Sequence, residues 1–236
     1  MSDAAAGFRG LEALGMPVEG AVAAVNRAVL GGAPVALEAA AGALRPLPLL
    51  PPNIRPVAPG ARHRLLITDR LVPGRPDTAV LRPPSLVAGV GARLGVSAEE
   101  VRGLLESALA EAGLSPDSLT ALVTVEAKAG EEGLLTASRW LGVPLLAFPA
   151  AELAALPVPH PSGVPAAVAG TPSVAEAAAL AGAGAGAGLV VTKVTSASRD
   201  RPGRATCAVA RRGAPGTRNP RARGRGPGQR RLADRQ

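Results

Sequence analysis

Leu86–Glu132 reads LVAGVGARLGVSAEEVRGLLESALAEAGLSPDSLTALVTVEAKAGEE, and the order of its signals decides the fold class. Leu86–Val90 is a short apolar run closing in Gly89-Val90-Gly91, which predicts a strand followed by a glycine turn. Ser97 stands three residues ahead of Glu100, the spacing of a capping box. Val101, Leu104, Leu105, Ala108, Leu109 and Ala112 then recur on one helical face, and Gly113 ends the helix. Leu119–Glu126 reads as a second strand, followed by a charged Glu-Ala-Lys loop. Such a unit aims a helix N-terminus, with its unpaired amides, beyond the strand ends.

Further along, Glu131–Leu141 is helical and stopped by Gly142, Pro144–Phe148 is a strand and Ala150–Leu156 a short helix. Prolines make Pro157–Pro172 a loop. Ser173 and Glu176 form a second capping box ahead of Val174–Ala181, and Leu189–Lys193 and Ala205–Ala210 are the last strands. Strands alternating with helices predict a three-layer α/β/α domain on a largely parallel or mixed sheet. The Gly-Ala run Gly182–Gly188 is no nucleotide loop: it follows a helix, alternates strictly and lacks a following Gly-Lys-Ser/Thr. It reads as a flexible connection.

Upstream, a helix is expected at Val18–Leu30 and short strands at Val35–Leu37 and Arg64–Thr68. Leu44–Pro59 and Pro73–Pro84 are proline-rich links. From Arg211 onward Gly, Pro and Arg dominate, and such a segment cannot offset its ordering entropy. The expected organisation is therefore a partial N-terminal region at 1–83, an α/β domain at 84–211 and a disordered basic tail at 212–236.

Only Phe8, Trp140 and Phe148 are aromatic, so the core must be built from Ala, Val and Leu. The net charge of +8 belongs to the tail. Residues 199–236 carry 12 Arg against Asp200 and Asp234, whereas the first 198 residues sum to −2. Twelve arginines would confer salt-sensitive binding to nucleic acid, but the tail has no interleaved aromatics for base stacking; this is the outlying reading. One cysteine, Cys207, excludes an internal disulfide and any multi-Cys metal site. His63 and His160 are too isolated to join it in a metal site. No apolar stretch is long enough to span a bilayer and no signal peptide is visible, so a soluble cytoplasmic protein without membrane attachment is expected.

GVGARLGVSAEE (89–100), TVEAKAGEEGLL (124–135), GTPSVAEAAAL (170–180) and ATCAVARR (205–212) follow one another in an order that resembles the C-terminal domain of the CbiG/CobE family. That family belongs to cobalamin (corrin-ring) biosynthesis, and the likeness runs from about Leu81 to Arg211. The N-terminal third resembles the family's central region through Leu14-Gly15, Asn26–Leu30, Leu47–Asn53 and Ile67–Arg70. The family's N-terminal domain is not found, so the chain reads as N-terminally shortened. The resemblance implies a cobalt-precorrin or related tetrapyrrole as substrate, with other corrin-pathway enzymes as partners. CbiG-type enzymes are hydrolases that open the lactone of cobalt-precorrin-5A and release acetaldehyde. CobE-type relatives imply instead a non-catalytic module that binds or hands on the macrocycle. No cofactor or protein-bound metal is implied; cobalt arrives inside the substrate.

A macrocycle edged with acetate and propionate groups suits a glycine bend with a nearby cation. Gly89, Gly91, Arg93 and Gly95 are the first substrate-binding candidates, Arg93 as a bidentate carboxylate partner. The alternative for Gly89 and Gly91 is a tight strand-to-helix turn without ligand, and Ser97 also reads as a plain helix cap. Glu126, Lys128 and Glu131 form the catalytic candidates. Strand alternation puts Glu126 and Lys128 on one side, where a carboxylate beside a lysine activates water or the lysine holds a substrate carboxylate. A solvated ion pair is the plainer reading. Gly170, Thr171 and Ser173, at the second helix N-terminus with Glu176, and Lys193, at a strand end, complete the substrate-binding set. The family pattern more often has Cys and Arg where this chain has Ala92 and Leu94, and Asp at the positions of Glu126 and Gly130.

Overall fold

The computed structural model describes residues 8–39, 50–159, 174–196, 203–213 and 230–231. These fall into two units, Met1–Pro84 and Ser85–Gln236.

The first unit begins with a 3-10 turn, Leu11–Leu14, then β1 (Val18–Gly20) and α1 (Val22–Leu30). The helix expected from Val18 thus starts four residues later. Gly20 marks the break: its φ of 82° leaves the chain beside Thr78, where a β-carbon would come within 2.6 Å of the carbonyl oxygen. β2 (Val35–Ala39), β3 (Ile54–Arg55), β4 (His63–Ile67) and β5 (Thr78–Leu81) complete a sheet ordered β1-β5-β4-β2-β3, parallel except for β1 against β5. β3 and β5 correct the sequence reading, which placed both in proline-rich links. Thr78–Leu81 is buried along its whole length, and its four residues are too few to display a period between prolines. Val25, Ala28 and Val29 of α1 cover Leu65, Ile67 and Leu81. Arg82, buried at the end of β5, donates to the carbonyls of Thr68 and Arg70 and to the Glu19 carboxylate. Paired in this way a buried guanidinium is tolerable.

The second unit is the three-layer α/β/α arrangement that the sequence predicts, on a mixed sheet. Its elements are β6 (Leu86–Ala92), α2 (Ala98–Glu111), β7 (Leu119–Val125), α3 (Glu132–Trp140), β8 (Leu145–Phe148), α4 (Ala150–Ala154), α5 (Val174–Ala183), β9 (Gly188–Thr195), β10 (Ala205–Arg211) and β11 (Arg230–Arg231). The strand order is β11-β8-β7-β6-β10-β9. β6, β7 and β8 run parallel; β9, β10 and β11 are antiparallel to their neighbours.

Period-two alternation along β6 feeds two cores. Leu86, Ala88 and Val90 pack with Val101, Leu105, Leu109, Leu134 and Ala137 of α2 and α3. On the opposite face Val87, Ala121, Val123 and Phe148 meet Leu153 of α4 and Ala177 and Ala178 of α5. Cys207 lies in the first core, where burial pushes its thiol up to about 12 and leaves it an inert small apolar residue.

The expected glycine turn at Gly89–Gly91 is not there. β6 runs through both glycines, which pair with Ala208 and Thr206 of β10. A β-carbon on Gly89 would lie 2.0 Å from the Ala175 carbonyl oxygen and 2.4 Å from the Ala179 nitrogen, so its bareness admits α5. Gly182 does the same within α5, facing Val123 and Val87. Of residues 212–236, those described are 212–213 and 230–231. Arg212 donates from its backbone to Ser85 and from its guanidinium to the Thr120 hydroxyl, 3.1 Å away. Arg230–Arg231 pair with Ala147 and Leu146 as β11, because an uncovered β8 edge offers unpaired backbone groups. The rest of that tail lies outside the described residues.

Trp140 ends α3, 48% exposed, with the Arg102 guanidinium of α2 5.1 Å from its ring centre. Among the described residues no helix is long and apolar enough to cross a membrane.

Candidate functional site

In open α/β sheets, ligands bind where neighbouring parallel strands diverge at their C-terminal ends. β6 and β7 stay paired only as far as Gly89 and Val123. Beyond that point the Thr124 hydroxyl donates to the Val90 carbonyl at 2.8 Å, while β6 continues alongside β10 to Ala92. The strands therefore deliver two separate turns at one end of the sheet: Arg93–Ser97 after β6 and Glu126–Glu131 after β7.

The first turn is built at Gly95, whose φ of 69° lies in the left-handed region that favours glycine. Ser97 caps α2, its hydroxyl accepting from the Glu100 amide at 3.2 Å. The other half of the expected capping box is absent. The Glu100 carboxylate turns to β9 and β10 instead, accepting from the Ser196 hydroxyl and, at 2.8 Å, from the Arg204 amide. Those two donors, the hydroxyl first, hold its pKa below the ordinary carboxylate range. Arg204 also closes the turn: its guanidinium donates to the Leu94 carbonyl, and its own carbonyl accepts from the Arg93 amide at 2.7 Å. Arg93 and Gly95 themselves are exposed.

In the second turn, Glu126–Lys128 form a 3-10 turn rather than the end of an alternating strand. A 3-10 turn puts i and i+3 on one side. Lys128 accordingly pairs with Glu131, 3.0 Å away, and not with Glu126 as alternation predicted; Glu126 is exposed. The second oxygen of Glu131 accepts from the Gly95 amide at 3.1 Å. One carboxylate thus ties the two turns together. The Lys128 ammonium first, then the Gly95 amide, hold the Glu131 carboxyl below its usual range. Gly133 lets this happen: a β-carbon there would lie 2.1 Å from the Val96 carbonyl oxygen, so only glycine allows α3 to start this close to the turn.

The structure brings Arg93, Gly95, Ser97, Lys128 and Glu131 into one neighbourhood, with Glu126 at its end of β7. It takes Gly89 out, because α5 fills the space its missing side chain leaves. Gly91 lies half-buried in the strand, facing the Thr206 hydroxyl. Lys193 is half-buried inside edge strand β9 rather than at a strand end, and its amide donates to Glu176 at 3.1 Å. Glu176 is fully buried under that strand, so it does not line a crevice. Gly170, Thr171, Ser173 and His160 lie outside the described residues. Sequence reading missed Arg204, Ser196 and Gly133. Only Gly133 left a trace, as an unexplained glycine in the first turn of a predicted helix. Among the described residues no group of three His, Cys, Asp or Glu is placed to hold a metal ion.

Comparison with known proteins places these turns in a recognised domain. Residues 86–210 match the family model described as the C-terminus of cobalamin synthesis protein G. The protein CobE of Sinorhizobium sp is 40% identical over 114 residues, 48% of this chain and 74% of the relative. The cobalt-precorrin-5A hydrolase of Priestia megaterium is 35% identical over 97 residues, 41% of this chain. The matched part spans only 26% of that hydrolase. A crystal structure of CobE, described as a protein of the cobalamin biosynthetic pathway, is 40% identical and covers 54% of this chain and 94% of its own, with a TM-score of 0.47.

Proposed function

The chain belongs to the CbiG/CobE family of cobalamin biosynthesis, and from that premise we propose that its second unit binds a cobalt-precorrin or related corrin intermediate by the carboxylates of its rim. One observation carries this reading: the Gly95 amide and the Lys128 ammonium already grip a carboxylate, that of Glu131. Donors set around a carboxylate in this way are a clamp that an acetate or propionate arm enters by exchange with Glu131 or beside it. Arg93, exposed on the same turn, supplies the planar bidentate partner. The ligand is a dianion or more, so removing one cation weakens it strongly. Titrating the protein into cobalt-precorrin-5A and following the corrinoid absorbance tests this. Arg93→Ala and Lys128→Ala should each weaken binding about tenfold, the worth of one charge-assisted bond. Unchanged affinity in both variants overturns the clamp.

A second reading, lactone hydrolysis, is favoured by the likeness to the hydrolase. In it Glu126, exposed at the end of β7, takes a proton from the water that attacks the lactone carbonyl. The acyl C–O bond breaks to a carboxylate and an alcohol. That alcohol collapses to a carbonyl as its carbon–carbon bonds to the ring break and the ring carbons take up protons, so that the two-carbon fragment leaves as acetaldehyde. Glu131 serves poorly as the base, since Lys128 and Gly95 stabilise its charged form. Lys128 and Glu131 then hold the substrate and the turn. Incubation with cobalt-precorrin-5A should release acetaldehyde, and Glu126→Gln should abolish release while leaving binding intact. Tight binding with no acetaldehyde leaves the carrier function, in which the macrocycle is handed in the cytoplasm to another corrin-pathway enzyme.

A further inference from the structure

We propose that a groove in the first unit, between α1 and the start of β4, binds a small oxyanion ligand of phosphoryl or dicarboxylate type. The groove has a volume of about 400 Å³, within the range of small-molecule sites. Its floor is apolar, from Ala28, Ala33 and Pro34, and all of its ionisable lining residues are basic types: Arg27, Arg62 and His63. Basic types are in excess throughout this unit, nine Arg against six Asp and Glu in residues 1–84, and three of the basic side chains share this one groove. A groove of similar size in the second unit, about 420 Å³, is lined instead by Glu99, Glu100 and Glu111.

The cations come from elements that fix them relative to one another. Arg27 stands in the last turn of α1. Arg62 and His63 follow a tight turn, with Gly60 at φ 75° and the Ala61 amide donating to Ala58 at 3.0 Å, and His63 is pinned opposite Val35 in the sheet. Neither Arg27 nor Arg62 forms an ion pair with any described residue, although Arg64 and Arg75 nearby in sequence both do. The Nδ1 atom of His63 is enclosed and has no hydrogen-bond partner among the described residues. An enclosed ring nitrogen left unpaired is costly, and a rotation of the half-buried ring that turns an N–H to an oxygen bound in the groove would remove that cost. Arg27 also complements the negative end of α1, a plainer role. That role explains neither Arg62 nor the imidazole. An oxyanion of two charges, wide enough to meet both guanidinium groups, uses all three.

With His160→Gln in the full chain, His63 is the sole imidazole, and its ring-proton NMR signals report the groove directly. We expect inorganic phosphate or malonate to shift those signals saturably at millimolar or lower concentration, at constant pH and ionic strength, with chloride giving no saturable shift. The double variant Arg27→Gln/Arg62→Gln, checked for intact fold by circular dichroism, should weaken the response at least tenfold. A preference for phosphate identifies a phosphoryl ligand, and a preference for malonate a carboxylate one. A shift that chloride reproduces, no saturable shift, or an unchanged response in the double variant overturns the site. None of these outcomes bears on corrinoid binding at Arg93 and Lys128, which uses other residues and another probe.

Discussion

The two helical layers of the second unit cover the same sheet by opposite means. On the α2 and α3 side the space is filled: Val101, Leu105, Leu109 and Leu134 reach down onto Leu86, Ala88 and Val90. On the α5 side the space is removed: Gly89 and Gly182 have no side chain, and Ala175, Ala177, Ala178 and Ala179 bring helix backbone almost onto strand backbone. A chain with three aromatic residues cannot thicken both layers, so one of them is thinned instead. Small residues here are therefore not weak packing. Interiors are as dense around a glycine contact as around a leucine, but they tolerate different insults.

Gly89→Ala strikes the thinned layer hardest. A methyl group 2.0 Å from the Ala175 carbonyl oxygen meets backbone that cannot rotate away, so α5 must leave the sheet. We expect a loss of about 3 kcal/mol or more, at the upper end of overpacking costs, seen as a collapsed urea midpoint. Gly91→Ala should be milder, because its nearest obstacle is the Thr206 hydroxyl, a side-chain atom. Leu105→Ala probes the filled layer in the reverse sense and should cost about 2–5 kcal/mol by leaving a cavity, with an unchanged denaturant slope. A Gly89→Ala variant as stable as the parent would show that α5 does not rest on bare strand backbone.

Acid separates the layers more gently. Glu100 and Glu131 both sit on the α2 and α3 side with pKa values held below the ordinary carboxylate range. A depressed folded-state pKa gives stability that is complete above the unfolded value and is lost as pH falls through the folded one. Unfolding midpoints measured from about pH 6 downward should therefore hold until about pH 4.3, the unperturbed glutamate value, and then fall. Glu131→Gln should flatten that fall. The smallest expected effect is that of Arg102→Ala, about 0.5–1 kcal/mol for an exposed cation over a ring, read from the same denaturation curves.

How much of this was legible in the sequence depends on the reach of each signal. The capped helix at Ser97, its stop at Gly113 and the strand Leu119–Val125 are local, and the sequence predicts them to within a residue. Gly89 is also conspicuous, but a glycine that turns the chain and one that admits another backbone leave the same letter. Only the position of α5, more than eighty residues on, tells them apart. Thr78–Leu81 is a strand because β4 and β1 lie on either side of it, not because four residues declare it. At the site, Glu131 and Lys128 were recognisable as a charged cluster, yet the pairing changed once a 3-10 turn replaced an alternating strand. The Glu100–Arg204 contact joins positions 104 apart, beyond any local pattern.

Trp140 has a consequence of its own. It is the sole indole, and it closes the helix whose first turn rests on Val96, beside a guanidinium carried by the helix that Ser97 opens. A ligand that prises those helices apart must alter the distance between that cation and that ring, and so the colour and yield of the protein's ultraviolet emission. The molecule therefore carries its own optical gauge, at the far end of the helix that begins beside the two turns.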